Sequence, residues 1–180
     1  MNKKQWLGFG LVAVAAVGLA ACGNRASRSN SNSDAKTDLK AAIVTDTGGV
    51  DDKSFNQSAW EGLQEWGKEN GLSKDHGFTY FQSTNESEYA NNLEQAASSG
   101  YKAIFGIGFA LRNAVEAAAK DHSDINYVII DDEIKGQDNV ASALFADNEA
   151  AYLAGVAAAK TTKTKQVGFV GGIESEVISR

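Results

Sequence analysis

The chain has no proline, one cysteine, one methionine and two histidines. Without proline, neither a cis-prolyl turn nor a proline kink can be invoked. One cysteine cannot close an internal disulfide. The two histidines, His76 and His122, each stand beside a predicted element end among charged residues. They read as solvated surface side chains. Zinc-ligand spacing, a Walker loop and a Gly-x-Ser-x-Gly elbow are all missing, so enzyme signatures are scarce. Positive charge is also short. Lys and Arg number 17 against 23 Asp and Glu, a formal net charge of -6. An acidic body argues against a nucleic-acid partner, which needs a basic footprint. No internal repeat occurs at solenoid periods.

Long apolar runs are scarce as well. The longest, Leu7 to Ala21, is too short to span a bilayer comfortably, and Lys3 and Lys4 precede it. It ends in Leu19-Ala20-Ala21-Cys22, which resembles a bacterial lipobox. Residues 1–21 are therefore expected to be a lipoprotein signal peptide, with Cys22 as the lipidated first residue. The lipid would explain the lone cysteine and would place the protein on the extracytoplasmic face of the cell membrane. Residues 22–38, rich in Ser and Asn, read as a flexible tether. About 140 residues remain, one domain by length.

The most informative stretch is Asp46 to Gln57. It follows the apolar run Ala41-Ala42-Ile43-Val44, expected to be a buried strand. It precedes Phe55, Ala59, Trp60, Leu63 and Trp66, which share one face at spacings near 3.6. Ser54 followed by Gln57 fits a capping box, which predicts a helix from Phe55. A strand, a Gly-Gly turn and a helix N-terminus place polar groups at the carboxyl end of a parallel sheet, where open α/β folds bind ligands. Asp46 offers an acceptor there, Phe55 a stacking surface, and Asn56 an amide that donates and accepts.

Beyond it, strand and helix alternate. Strands are expected at 78–82, 102–107, 127–130, 140–145 and 166–170. Ser83 to Glu86 predicts a second capping box, opening a helix with Tyr89, Leu93, Ala96 and Ala97 inward; Gly100 closes it. Leu111, Ala114, Val115 and Ala118 mark a third helix, and residues 148–160 a fourth. Continuous apolar strands joined by helices mean an α/β fold, a doubly wound parallel sheet covered on both faces.

In such a sheet Asp46, the pair Gly108-Phe109 and Asp131 converge on one rim. Asp131 directly follows four apolar residues. It reads either as a carboxylate aimed at ligand hydroxyls or as a turn cap. The run Asp131-Asp132-Glu133 is a weak cation signal, because adjacent strand residues point to opposite faces. Gly106-x-Gly108 and Gly168-Phe169-Val170-Gly171-Gly172 are weak nucleotide signals.

Val44-Thr45-Asp46, the run from Gly48 to Trp60, Gly106-Ile107-Gly108-Phe109 and Gly168 to Gly172 together resemble the basic membrane lipoprotein family. Its best-understood members are purine nucleoside receptor lipoproteins of ABC importers. The resemblance runs from the lipobox to the last residue, and Asp52-Lys53-Ser54-Phe55-Asn56 is its most specific part. It implies a type I periplasmic-binding-protein fold, two α/β lobes that close on ligand. Residues 39–146 would form the N-terminal lobe and 147–180 an incomplete start of the second, since family members are much longer.

The resemblance also implies roles. Phe55 would stack on the purine, Asp46 and Asn56 would bond the base edge, and Asp131 would bind ribose hydroxyls. Asp51 and Phe109 are weaker candidates. Partners would be a purine nucleoside (guanosine, adenosine or inosine) and the ABC permease subunits, with no cofactor, no metal and no catalysis. A type I binding protein for another small polar ligand such as a sugar, or a surface lipoprotein used in adhesion or signalling, is the alternative. A nucleoside hydrolase comes last, since it would need a calcium-holding carboxylate cluster.

Overall fold

The computed structural model describes residues 36–179. The expected signal peptide, Cys22 and most of the expected tether lie outside them. Five strands form one wholly parallel sheet: β1 (Ala41–Val44), β2 (Phe78–Phe81), β3 (Ala103–Ile107), β4 (Asn126–Ile130) and β5 (Val140–Ala143). Their spatial order is β2-β1-β3-β4-β5. The chain leaves β1 to one side and returns to its other side, so the strand order reverses between β1 and β3. Ligands bind beyond the carboxyl ends of strands at such a reversal.

The helices are α1 (Phe55–Glu69), α2 (Tyr89–Ser98), α3 (Arg112–Asp121), α4 (Asp147–Thr161) and the short α5 (Glu176–Ser179). Alternate residues of β1 serve opposite faces of the sheet. Ala42 and Val44 join Leu93 and Ala96 of α2, Val115 and Ala119 of α3, and Ile104, Tyr127 and Ile129 of the sheet in the larger core. Ala41 and Ile43 join Leu63 of α1, Phe78 and Ile107 in a smaller one. Two close approaches set the helix distances. A Cβ on Gly106 would lie 2.6 Å from Val115 Cγ2, and one on Gly67 would lie 2.3 Å from the Phe78 ring.

Several capping expectations are corrected. Ser54 makes no side-chain cap on α1, and the Gln57 side chain bonds Glu61 instead. Asp52 does the capping: its carboxylate accepts from the backbone N–H groups of Ser54, Asn56 and Gln57 at 2.8, 3.1 and 3.1 Å. A carboxylate at a helix N-terminus also meets the positive end of the helix dipole, which a serine hydroxyl does not exploit. The second capping box is displaced too. Asn85 caps a 3₁₀ turn at Glu86–Glu88, and Thr84 donates both its N–H and its hydroxyl to the Glu88 carboxylate, so α2 begins only at Tyr89. Gly100 does close α2, with φ +84° and the paired bonds Gly100 N–H to Ala97 O and Tyr101 N–H to Ala96 O.

The expected sixth strand at 166–170 is not one; those residues are irregular and exposed. Val167, Phe169 and Val170 stand 64%, 85% and 97% exposed, so the apolar alternation found no sheet edge to pair with. The preceding helix α4 spans 147–161, close to the expected 148–160, but buries none of its residues.

Candidate ligand-binding site

Register brings the three strand ends to one level. Val44 pairs with Gly106, and Gly106 with Ile129. Two residues further on stand Asp46, Gly108 and Asp131. A Cβ on Gly108, whose φ is +97°, would lie 3.8 Å from Asp46 Oδ2. Only glycine takes that backbone conformation without strain while leaving the carboxylate oxygen uncovered.

Asp46 itself is held on its other oxygen. Oδ1 accepts from Gly48 N–H at 2.8 Å and from Asn56 Nδ2 at 2.7 Å. The Asn56 amide also donates to Asp52 Oδ2 at 2.9 Å. One chain of contacts, Asp46–Asn56–Asp52, therefore ties the end of β1 to the start of α1. A Cβ on Gly48 would press on all three side chains, at 3.1 to 3.3 Å, so glycine lets them meet. Partial burial pushes the Asp52 carboxyl up, but the bonds from Gln57, Ser54 and Asn56 outweigh it and hold it below the usual carboxylate range. Tyr89 lies close by. Burial, then the charges of Asp46 and Glu86, push its hydroxyl up, against a backbone hydrogen bond from Thr47.

The remaining expected residues are placed as follows. Phe55 is 63% exposed at the first position of α1, free to present a ring face. Asp131 is half-buried with φ +69°, and its N–H donates to Ala143 O at 2.8 Å, joining the ends of β4 and β5. Phe109 is half-buried and opens a 3₁₀ turn at Phe109–Leu111; Asp51 is exposed in the turn before α1. Asn56 is only 1% exposed. The acidic run gathers on no common point. Asp132 bonds the Glu133 N–H, Glu133 pairs with Lys135, and among the described residues no three His, Cys, Asp or Glu side chains could hold a metal. His122 is half-buried, its Nε2 2.7 Å from Glu94 Oε2, and not simply solvated; His76 is exposed.

Sequence reasoning missed Asp52, Tyr89 and Phe145. Asp52 was findable, since Asp is among the best N-cap residues. Tyr89 looked like core because its ring is core. Phe145, past β5, lines with Phe55 an apolar groove of about 830 Å³ on the α1 face of the sheet. Its floor is Ile43, Phe105, Ile107 and Ile130. Rim and groove thus share Phe55. The rim can accept hydrogen bonds and stack an aromatic ring; the groove, apolar but for Ser54 and Ser58, offers little to recognise a polar ligand.

A family model described as "ABC transporter substrate-binding protein PnrA-like" matches residues 39–180. The chain is 56% identical over 178 residues to the "ABC transporter nucleoside-binding protein BmpA" of Lactococcus lactis subsp. cremoris, covering 99% of this chain and 51% of that protein. It is 47% identical over 183 residues to the "CD4+ T-cell-stimulating antigen" of Listeria innocua, covering 100% of this chain and 51% of that protein. The chain thus spans about half the length of these relatives. Among solved structures, a solute-binding protein of an ABC transporter system from Aeropyrum pernix superposes with a TM-score of 0.60 at 30% identity, over 67% of this chain and 32% of that one.

Proposed function

The chain belongs to the PnrA-like family of ABC transporter substrate-binding proteins, a family of binding proteins and not an enzyme class, and from that premise we propose that it binds purine nucleosides and hands them to a membrane permease. The register carries this reading: it sets Asp46 and Asp131 at one level on either side of Gly108, beside the exposed Phe55. Phe55 stacks on the base. Asp46 accepts hydrogen bonds from the base edge, with Asn56 behind it. Asp131 accepts from the ribose hydroxyls, where a carboxylate forms charge-assisted bonds. Asp51 and Phe109 border the site. The name of the Lactococcus relative supports a nucleoside as the ligand class.

In this reading the protein stands on the extracytoplasmic face, tethered by lipid at Cys22. Residues 39–146 are the first of two lobes, and 147–180 begin the second. That α4 buries none of its residues supports that boundary, because a helix of mostly apolar composition gains stability by burial. Closure of two lobes would exclude the water that competes for each hydrogen bond.

Calorimetry with guanosine, adenosine, inosine, guanine and ribose tests the proposal. The titrations are run on the chain and on the chain joined at Arg180 to the second half of the Lactococcus relative. The three nucleosides should bind the joined protein more tightly than guanine or ribose. Ribose binding as tightly as any nucleoside would replace this reading with that of a sugar receptor.

A further inference from the structure

The Asn56 side chain carries one buried polar atom that has no partner among the described residues. Its Oδ1 is buried and accepts no hydrogen bond from any described residue. Its Nδ2 is fully engaged, one bond to Asp46 Oδ1 at 2.7 Å and one to Asp52 Oδ2 at 2.9 Å. The amide's orientation follows from those neighbours. Turned over, it would set a carbonyl oxygen against two carboxylates, and acceptors repel. Asp52 is in turn fixed by three backbone N–H groups of the helix start. A buried acceptor left without a donor is costly, and such atoms in a folded protein call for an explanation.

We propose that Asp52 is the positioning residue of the nucleoside site: by locking the Asn56 amide it makes this end of the site acceptor-only, so that it selects bases bringing N–H donors. This rests on the proposed function and sharpens it. Asp46 Oδ1 and both Asn56 amide protons are engaged within the protein, so what remains at this locus is Asp46 Oδ2 and Asn56 Oδ1. Both accept. Adenine brings its 6-amino group, hypoxanthine its N1–H, and guanine its N1–H and 2-amino group. Purine riboside, which carries no N–H on the six-membered ring, brings nothing to either oxygen. Asn56 Oδ1 is buried, so a ligand donor reaches it only once the turn ahead of α1 moves, whereas Asp46 Oδ2 needs no such movement.

Two measurements test this, both on the chain joined to the Lactococcus second half. In calorimetry, adenosine, inosine and guanosine should each bind about tenfold or more tightly than purine riboside, the ratio expected when one hydrogen bond to a charged group is lost. Asp52→Asn is close in size and keeps an oxygen for the Ser54 and Gln57 N–H groups. It turns an NH₂ toward Asn56 in place of the Oδ2 that held its Nδ2 and its backbone N–H, leaving the amide held by Asp46 alone and able to turn over and present Nδ2 to a ligand acceptor. The preference over purine riboside should then fall toward one. A purely structural role would weaken all four ligands alike and leave their ratios unchanged, and that result overturns the proposal. Equal binding of purine riboside and adenosine to the unmutated protein also overturns it.

The second measurement needs no ligand. In a ¹H–¹⁵N spectrum, both Asn56 side-chain protons should exchange slowly and shift with the titration of a carboxylate in acid, and Asp52→Asn should abolish that shift for one of them. Random-coil positions for this pair would show the lock absent. If no nucleoside binds at all, the proposed function and the selectivity fall together, while this spectrum still decides whether the amide is locked.

Discussion

The polar rim beyond β1, β3 and β4 and the apolar groove on the α1 face are neighbouring openings made of opposite materials. The rim gathers Asp46, Asp52 and Asn56, tied by hydrogen bonds, with Asp131 just past the end of β4. The groove is bounded by Ile43, Leu63, Phe105, Ile107 and Ile130, with only serines to break its apolar lining. On the opposite face, α2 and α3 bury Leu93, Leu111, Val115 and Ile129 completely. Among the described residues, α1 is the helix that packs on the other face, and the groove lies beside it. A large concavity therefore marks a thinly covered sheet here, while the smaller rim holds the groups that can recognise a polar ligand. Phe55 belongs to both, and the comparison can be sharpened or broken at that residue.

The largest expected effect lies in the groove. Ile107 is 2% exposed at its floor, and Ile107→Ala should cost ~2–5 kcal/mol of stability, through lost burial and the cavity left behind. Nucleoside affinity should barely change, read by chemical denaturation beside calorimetry. A mutant of unchanged stability with lost binding would invert the comparison. Next comes Phe55→Ala. It should weaken nucleoside binding by ~1–3 kcal/mol, the size of one base–aromatic stack. Its effect on stability should stay within about 0.5 kcal/mol, as expected for an exposed side chain.

The smallest effect is the pH dependence of the rim. The folded Asp52 carboxyl titrates below its usual 3.8. Its contribution is thus fully present above the unfolded value and is lost as pH falls through the lowered folded value. Thermal unfolding should show Asp52→Asn less stable than the parent at neutral pH, with the gap closing in acid. A gap that widened as pH fell would reverse the assignment.

Much of the fold was legible because its strands are short apolar runs. Ala41 to Val44 and Tyr127 to Ile130 could hardly be anything else. The sheet's parallel sense followed from the helical spacing between them. Strand order was not legible, since it depends on which crossover passes to which side. The strand expected at 166–170 failed for a related reason: alternation says that a segment could pair, not that an edge is there to receive it. At the site, Asp46 and Asn56 were visible as polar residues beside a glycine turn. That they bond each other was not, because it depends on a contact across ten positions of chain. The capping boxes misled because two acceptors competed for the same N–H groups, and the charged Asp52 outcompeted Ser54.

The central claim, that ligand binds at the rim and not in the groove, is tested most directly by following backbone amides during a guanosine titration. The account predicts the largest shifts at residues 46–56, at Gly108 and Phe109, and at Asp131, with Ala41, Leu63, Trp66 and Ala103 nearly still. Shifts concentrated on those groove residues, with Asp46 and Asp131 unmoved, would contradict it.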